Sequence, residues 1–187
     1  MAQLLGTAEG VAYLHRQNPT IIHGDLSDVS VCPQILSYVL TLFNQSNILI
    51  DDDGAAVISD LGCSRIQHEV TRTLTMIREG GKARFLAPEL ATGPEEFRTS
   101  TKSDVYSLAM AFFALIMQEM PFADVKVHKV ASLATRGSRP IRPVTLPFSP
   151  PVNDQVWSLM EHMWAQDPMN RPSAPFVVTD LKEIFTV

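Results

Sequence analysis

The sequence predicts a mainly α domain carrying a small β-ribbon, and three of its features support that expectation. Leu4, Ala8, Val11 and Ala12 recur at helical spacing near the start; the Asp-Gly step Asp53-Gly54 separates two short apolar runs; and Leu108 to Met117 is apolar on every side. A helix without a polar face belongs inside a core rather than on its surface. The chain has 187 residues, 45% of them hydrophobic and 19% charged, enough to bury one sizeable core, so residues 1–187 are expected to form one domain.

The elements follow in order. The first amphipathic helix is closed off by Pro19. Ile21-Ile22 is a short β-prone pair, and the runs Asn47 to Ile50 and Ala56 to Ile58 flank Asp51-Asp52-Asp53-Gly54 as the arms of a hairpin. Cys63 to Ala83 is polar, Thr-rich and aperiodic, which predicts a long surface loop of the kind that carries function. Beyond the buried helix, helical patterns recur around Val125 to Ala134, Asp154 to Met163 and Ala174 to Phe185. Pro-rich connections join them at Pro140 to Pro151 and Pro168 to Pro172.

Composition excludes several classes of partner. A formal charge of -5 argues against an electrostatic grip on nucleic acid, which needs clustered Lys and Arg. Cys32 and Cys63 form no metal-ligand pattern and are too few for a disulfide framework, which fits an intracellular protein, cytoplasmic or nuclear. The longest apolar stretch outside a helical pattern, Ile35 to Phe43, is far short of a bilayer span, so no membrane partner is expected.

Four short motifs occur in a telling order: His23-Gly24-Asp25-Leu26, Asn47-Ile48-Leu49-Ile50, Asp60-Leu61-Gly62 and Ala87-Pro88-Glu89. Taken singly, Asp25 reads as a turn carboxylate and Asn47 as a strand cap. Taken together, they resemble the catalytic loop, its end, the DFG motif and the close of the activation segment of eukaryotic-type protein kinases. The similarity continues in Ser103-Asp104-Val105-Tyr106-Ser107-Leu108, which looks like the start of the central buried helix whose aspartate braces the catalytic loop. Trp164-Ala165-Gln166-Asp167-Pro168 and Asn170-Arg171-Pro172-Ser173 resemble the late-lobe signature in which an arginine pairs with the Glu of Ala-Pro-Glu, here Arg171 with Glu89. With Arg136 to Pro143, the pattern is most similar to the tyrosine-kinase-like Ser/Thr protein kinases.

The resemblance implies ATP-dependent phosphoryl transfer to Ser/Thr hydroxyls of a protein substrate, with Tyr left open. Asp25 would be the catalytic carboxylate, Asn47 and Asp60 the ligands of Mg2+, and ATP with Mg2+ the cofactors of a complete kinase domain. It also implies that His23 orients the DFG region as a structural residue. Met110, Phe112, Phe113 and Met117 read as core, and His68 and His128 as surface residues.

Several departures from the family pattern qualify this picture. Met1 stands at the helix before the catalytic loop, and no Gly-rich loop, strand lysine or partner glutamate occurs in the sequence. The expectation is therefore a protein-kinase-like C-terminal lobe with the N-terminal lobe absent, inactive alone because phosphoryl transfer depends on positioning the phosphates. A pseudokinase-like binding module, using the helical lobe for protein interaction, is the alternative.

Asp25 and Asn47 lie 22 positions apart where the family pattern has five, an excess of 17. Removing Val29 to Gln45 restores His-Gly-Asp-Leu-Ser-Asp-Ser-Asn-Ile-Leu-Ile. The excised stretch begins Val-Ser, which GTNAGY encodes, ends in Gln, which CAG encodes, and carries Leu40-Thr41, which CTNAC fits; these are the marks of a retained intron, the alternative being a genuine insertion. Gly24 replaces the arginine that receives a phosphorylated activation loop in many kinases, so Thr71, Thr73 and Thr75 have no obvious phosphate receptor. Finally, Ser27 stands where such kinases carry a phosphate-neutralising lysine, while Lys82 stands where they carry a Thr or Ser, as though the two roles had been exchanged. Lys82 thereby joins Asp25 as a candidate catalytic residue.

Overall fold

The computed structural model describes residues 1–26, 29–30, 48–50, 56–58, 65–66, 80–92, 99–144 and 152–186. The helices are α1 (Ala2–His15), α2 (Pro88–Thr92), α3 (Thr101–Met117), α4 (Val127–Thr135), α5 (Val152–Met163) and α6 (Ala174–Thr186). The strands are β1 (Ile21–Ile22), β2 (Val29–Ser30), β3 (Ile48–Ile50), β4 (Ala56–Ile58) and β5 (Arg65–Ile66). None of the described helices is long and apolar enough to cross a membrane.

The core is organised around α3. Its start is set by capping chemistry: the Ser100 hydroxyl accepts from Ser103 N at 3.1 Å, and Ser103 Oγ accepts from Ser100 N at 2.8 Å. Its end is set by Gln118 in the left-handed region, φ 51°. Between them Val105, Tyr106 and Leu108 to Phe112 are wholly buried, as the all-round apolar run requires. α3 packs on α5, α5 on α6, α6 on α1, and α1 returns to α3, closing the core. Trp157 sits edge-on to Trp164 at 5.5 Å and to Phe113 at 6.4 Å, geometries that suit aromatic quadrupoles.

Helix α1 buries Leu4, Ala8, Val11 and Ala12 on one stripe and ends at His15, ahead of Pro19. It approaches β4 closely at Gly10, where a Cβ would lie 2.7 Å from Ile58 Cδ1. Helix and strand meet there only because Gly10 lacks a side chain.

The expected hairpin is present: β3 and β4 are antiparallel, with Leu49 opposite Val57, and its turn lies outside the described residues. The β content is nevertheless not one ribbon. β2 runs parallel to β3, Val29 opposite Ile48, so the first two residues of the excess stretch form a third strand of that sheet. β1 pairs antiparallel with β5 in a separate two-stranded sheet. The stretch from Cys63 to Ala83, expected as loop throughout, thus contributes β5 and the start of a 3-10 turn over Gly80–Arg84. Arg65-Ile66 sets a single β-branched residue beside a charged one, and a single 3-10 turn leaves no apolar periodicity, which is why the sequence hides both. α2 and the Gly80–Arg84 turn pack on α4, so the end of this segment rests on the helical core.

Candidate active site

The site is assembled by carboxylates and cations that hold backbone. Asp104, in the first turn of α3 and 1% exposed, accepts from His23 N at 2.8 Å through Oδ2 and from Gly24 N at 2.9 Å through Oδ1. His15 Nε2, at the last turn of α1, lies 2.9 Å from the same Oδ2. A buried carboxylate needs this many donors to offset its lost hydration. The result pins residues 23–24 to the central helix. Gly24 takes φ +76°, a conformation that suits glycine.

Asp25 follows directly, with its backbone N 3.3 Å from His23 Nδ1. His23 is wholly buried, in keeping with an internal orienting role. The Asp25 carboxylate, 5% exposed as a side chain, is met by Lys82 Nζ at 2.5 Å, and the Lys82 side chain is 26% exposed. The two residues are 57 apart in sequence. Gly24, Asp25, Lys82, Phe85, Ser103 and Ser107 line a narrow cleft at this point.

Lys82 is delivered by the Gly80–Arg84 turn, which is fastened on both sides. Arg84 donates to the carbonyls of Pro121 and Val125, each at 2.9 Å, and to that of Phe122. Ser107 Oγ donates to Phe85 O at 2.9 Å and ties the turn's exit to α3.

A second ionic node lies behind the first. Arg171, 1% exposed, meets Glu89 through two parallel bonds, 2.7 Å to Oε1 and 2.8 Å to Oε2. It also donates to Ala165 O at 2.9 Å and Lys102 O at 3.0 Å. Tyr106 lies between Arg171 and Arg139, whose Cζ atoms stand 5.0 and 5.2 Å from the ring centroid. Burial pushes the Tyr106 hydroxyl up to about 12, with the two arginines pulling the other way. Burial likewise lowers the Arg139 guanidinium below its ordinary value.

Of the sequence-derived site residues, the structure brings Asp25 and Lys82 together. Asn47, Asp60 and Ser27 lie outside the described residues, as do Cys32, Cys63, His68, Thr71, Thr73 and Thr75. Glu89 and Arg171 meet as the motifs implied, and His128 is exposed. Sequence reasoning passed over His15, Arg84 and Ser107. The only available signal was His15 at the end of α1, since neither an arginine two residues after Lys82 nor a serine three after Asp104 announces a partner so far along the chain.

This arrangement places a carboxylate on a braced loop, facing an anchored segment over a helical core. The protein kinase domain family matches residues 43–181. A probable serine/threonine-protein kinase of Dictyostelium discoideum is 31% identical over 182 residues, 96% of this chain and 17% of that protein. Receptor-interacting serine/threonine-protein kinase 2 of Bos taurus is 31% identical over 171 residues, 89% of this chain and 28% of that protein. Serine/threonine-protein kinase TNNI3K of Mus musculus is 32% identical over 176 residues, 94% of this chain and 18% of that protein. The chain therefore spans less than a third of the length of these relatives. It belongs to the protein kinase domain family.

Proposed function

We propose that this chain supplies the catalytic-loop lobe of a protein kinase that moves the terminal phosphoryl group of ATP to a Ser or Thr hydroxyl of a protein substrate inside the cell. The carrying observation is Asp25: a carboxylate on a loop whose backbone is fixed by Asp104, opening on the cleft beside Lys82. Asp25 takes the acceptor hydroxyl's proton while that oxygen bonds to the terminal phosphorus and ADP leaves with the electron pair of the broken bond. The names of the relatives favour Ser/Thr acceptors.

Asn47 and Asp60 would hold Mg2+, which supplies charge neutralisation on the phosphates. Magnesium is commonly held by one or two carboxylates together with substrate phosphates rather than by a full protein cage. The oxygen donors present suit it, and the lack of a three-residue ligand cluster among the described residues is no obstacle.

The sequence contains no Gly-rich phosphate loop, so residues 1–187 alone are expected to bind Mg-ATP more weakly than micromolar, as calorimetric titration would register. The test of function uses the complete gene product: radiolabelled phosphate should pass from ATP to a generic protein acceptor, and Asp25→Asn should abolish it. A stable protein with no transfer supports the binding-module reading instead. We also propose that Val29 to Gln45 is a retained intron. Messenger RNA should include a form lacking these codons, and transcripts that keep them uniformly would contradict this.

A further inference from the structure

We infer that Lys82 is the cation of the transfer site, a catalytic residue that reaches Asp25 and the migrating phosphoryl group from the activation segment, and that Arg84 is the positioning residue that delivers it. The inference rests on the phosphoryl-transfer reading above and adds to it the source of the positive charge and the condition for its arrival.

The ammonium group carries three donors in a compact charge. One is directed at Asp25 Oδ2 at 2.5 Å, and the side chain keeps 26% of its surface open at the cleft while Asp25 keeps 5%. Lys82 therefore pairs with the carboxylate at the cleft and offers its remaining donors to whatever anion enters. Charge that builds on the phosphoryl oxygens in the transition state is stabilised by fixed cations in a partly dry site, so the effect falls on turnover more than on binding.

A lysine on an activation segment is useful only while that segment is docked. Arg84, two residues on, fastens the turn to the carbonyls of Pro121, Phe122 and Val125, a backbone ledge independent of the catalytic loop. Ser107 secures the next residue. Gly24 offers no side chain to receive a phosphorylated loop. The Arg84 clamp thus holds the turn that carries Lys82 in place without any contribution from residue 24.

The experiment compares variants of the complete protein in phosphate transfer, with Asp25→Asn as the reference. Lys82→Met should lower kcat on the order of 10²-fold with KM for ATP changed less than about threefold. Lys82→Arg should recover part of the loss. Arg84→Met should lower kcat in the same way, and Ser27→Lys, two residues after Asp25, should restore turnover in both methionine variants because its charge does not travel with the activation segment. A merely structural Arg84 would not be rescued in this way. Independently of activity, NMR of lysine ammonium groups in residues 1–187 should show a protected Lys82 signal that disappears in Asp25→Asn. Transfer abolished by Asp25→Asn but kept within about threefold by Lys82→Met overturns the inference alone, as does a Lys82 signal indifferent to Asp25→Asn. Transfer unaffected by Asp25→Asn, or absent from the wild type, overturns the kinase reading and this inference with it.

Discussion

Two ion pairs join the end of the activation segment to the rest of the lobe, and they are built in opposite ways. Arg171 is inaccessible as a side chain, and its five N–H directions all meet oxygens: two on Glu89 and one each on Ala165, Lys102 and Gln166. Among the described residues Lys82 makes one short contact, with Asp25, and leaves a quarter of its side chain open. A saturated, buried pair fixes geometry and has nothing left to offer a ligand. A lysine that spends one donor on a carboxylate at an opening keeps its others in reserve. Spent donors and burial of the cation, rather than residue type, separate the brace from the group proposed to act in transfer.

The largest effect should come from breaking the brace. Arg171→Met leaves Glu89 and three backbone carbonyls without their donor and is expected to cost about 3–5 kcal/mol, measured by urea or thermal unfolding. Asp104→Asn comes next. It removes the charge that holds His23 N and Gly24 N and should cost about 2 kcal/mol, with faster amide exchange at Gly24 and reduced turnover as the catalytic loop loosens.

The smallest effect should be Tyr106→Phe. The Tyr106 hydroxyl is buried with no hydrogen-bond partner among the described residues, so its loss should change stability by less than about 1 kcal/mol while the ring stays between Arg171 and Arg139. The pH dependence sharpens this. The folded phenol is pushed up to about 12 from an ordinary value of 10.0, so its contribution is complete below pH 10 and fades as pH rises toward 12, where the unfolded chain ionises first. Tyr106→Phe should flatten the alkaline limb of the stability curve in that window.

What the sequence revealed follows from how each feature is encoded. α3 was legible because burial on all sides writes itself as an unbroken apolar run, and Arg171 with Glu89 because each sits in a motif. Asp25 stands out only through the order of its neighbours. The two-residue strands β2 and β5 were not legible, since Val29-Ser30 and Arg65-Ile66 each set one β-branched residue beside a polar one, unlike Ile21-Ile22 in β1. Arg84 was hidden for another reason: it binds carbonyls of residues 121, 122 and 125, and any sequence supplies carbonyls. The contacts that position the site are largely side chain to backbone, and only one partner of each is chosen by residue type.

The contrast between brace and working group is tested most directly by measuring unfolding free energy and turnover per folded molecule for Lys82→Met in the complete protein. The account predicts a stability loss smaller than that of Arg171→Met, because one contact rather than five is removed, with turnover reduced on the order of 10²-fold. A loss of several kcal/mol with turnover per folded molecule unchanged would make Lys82 a second brace and contradict it.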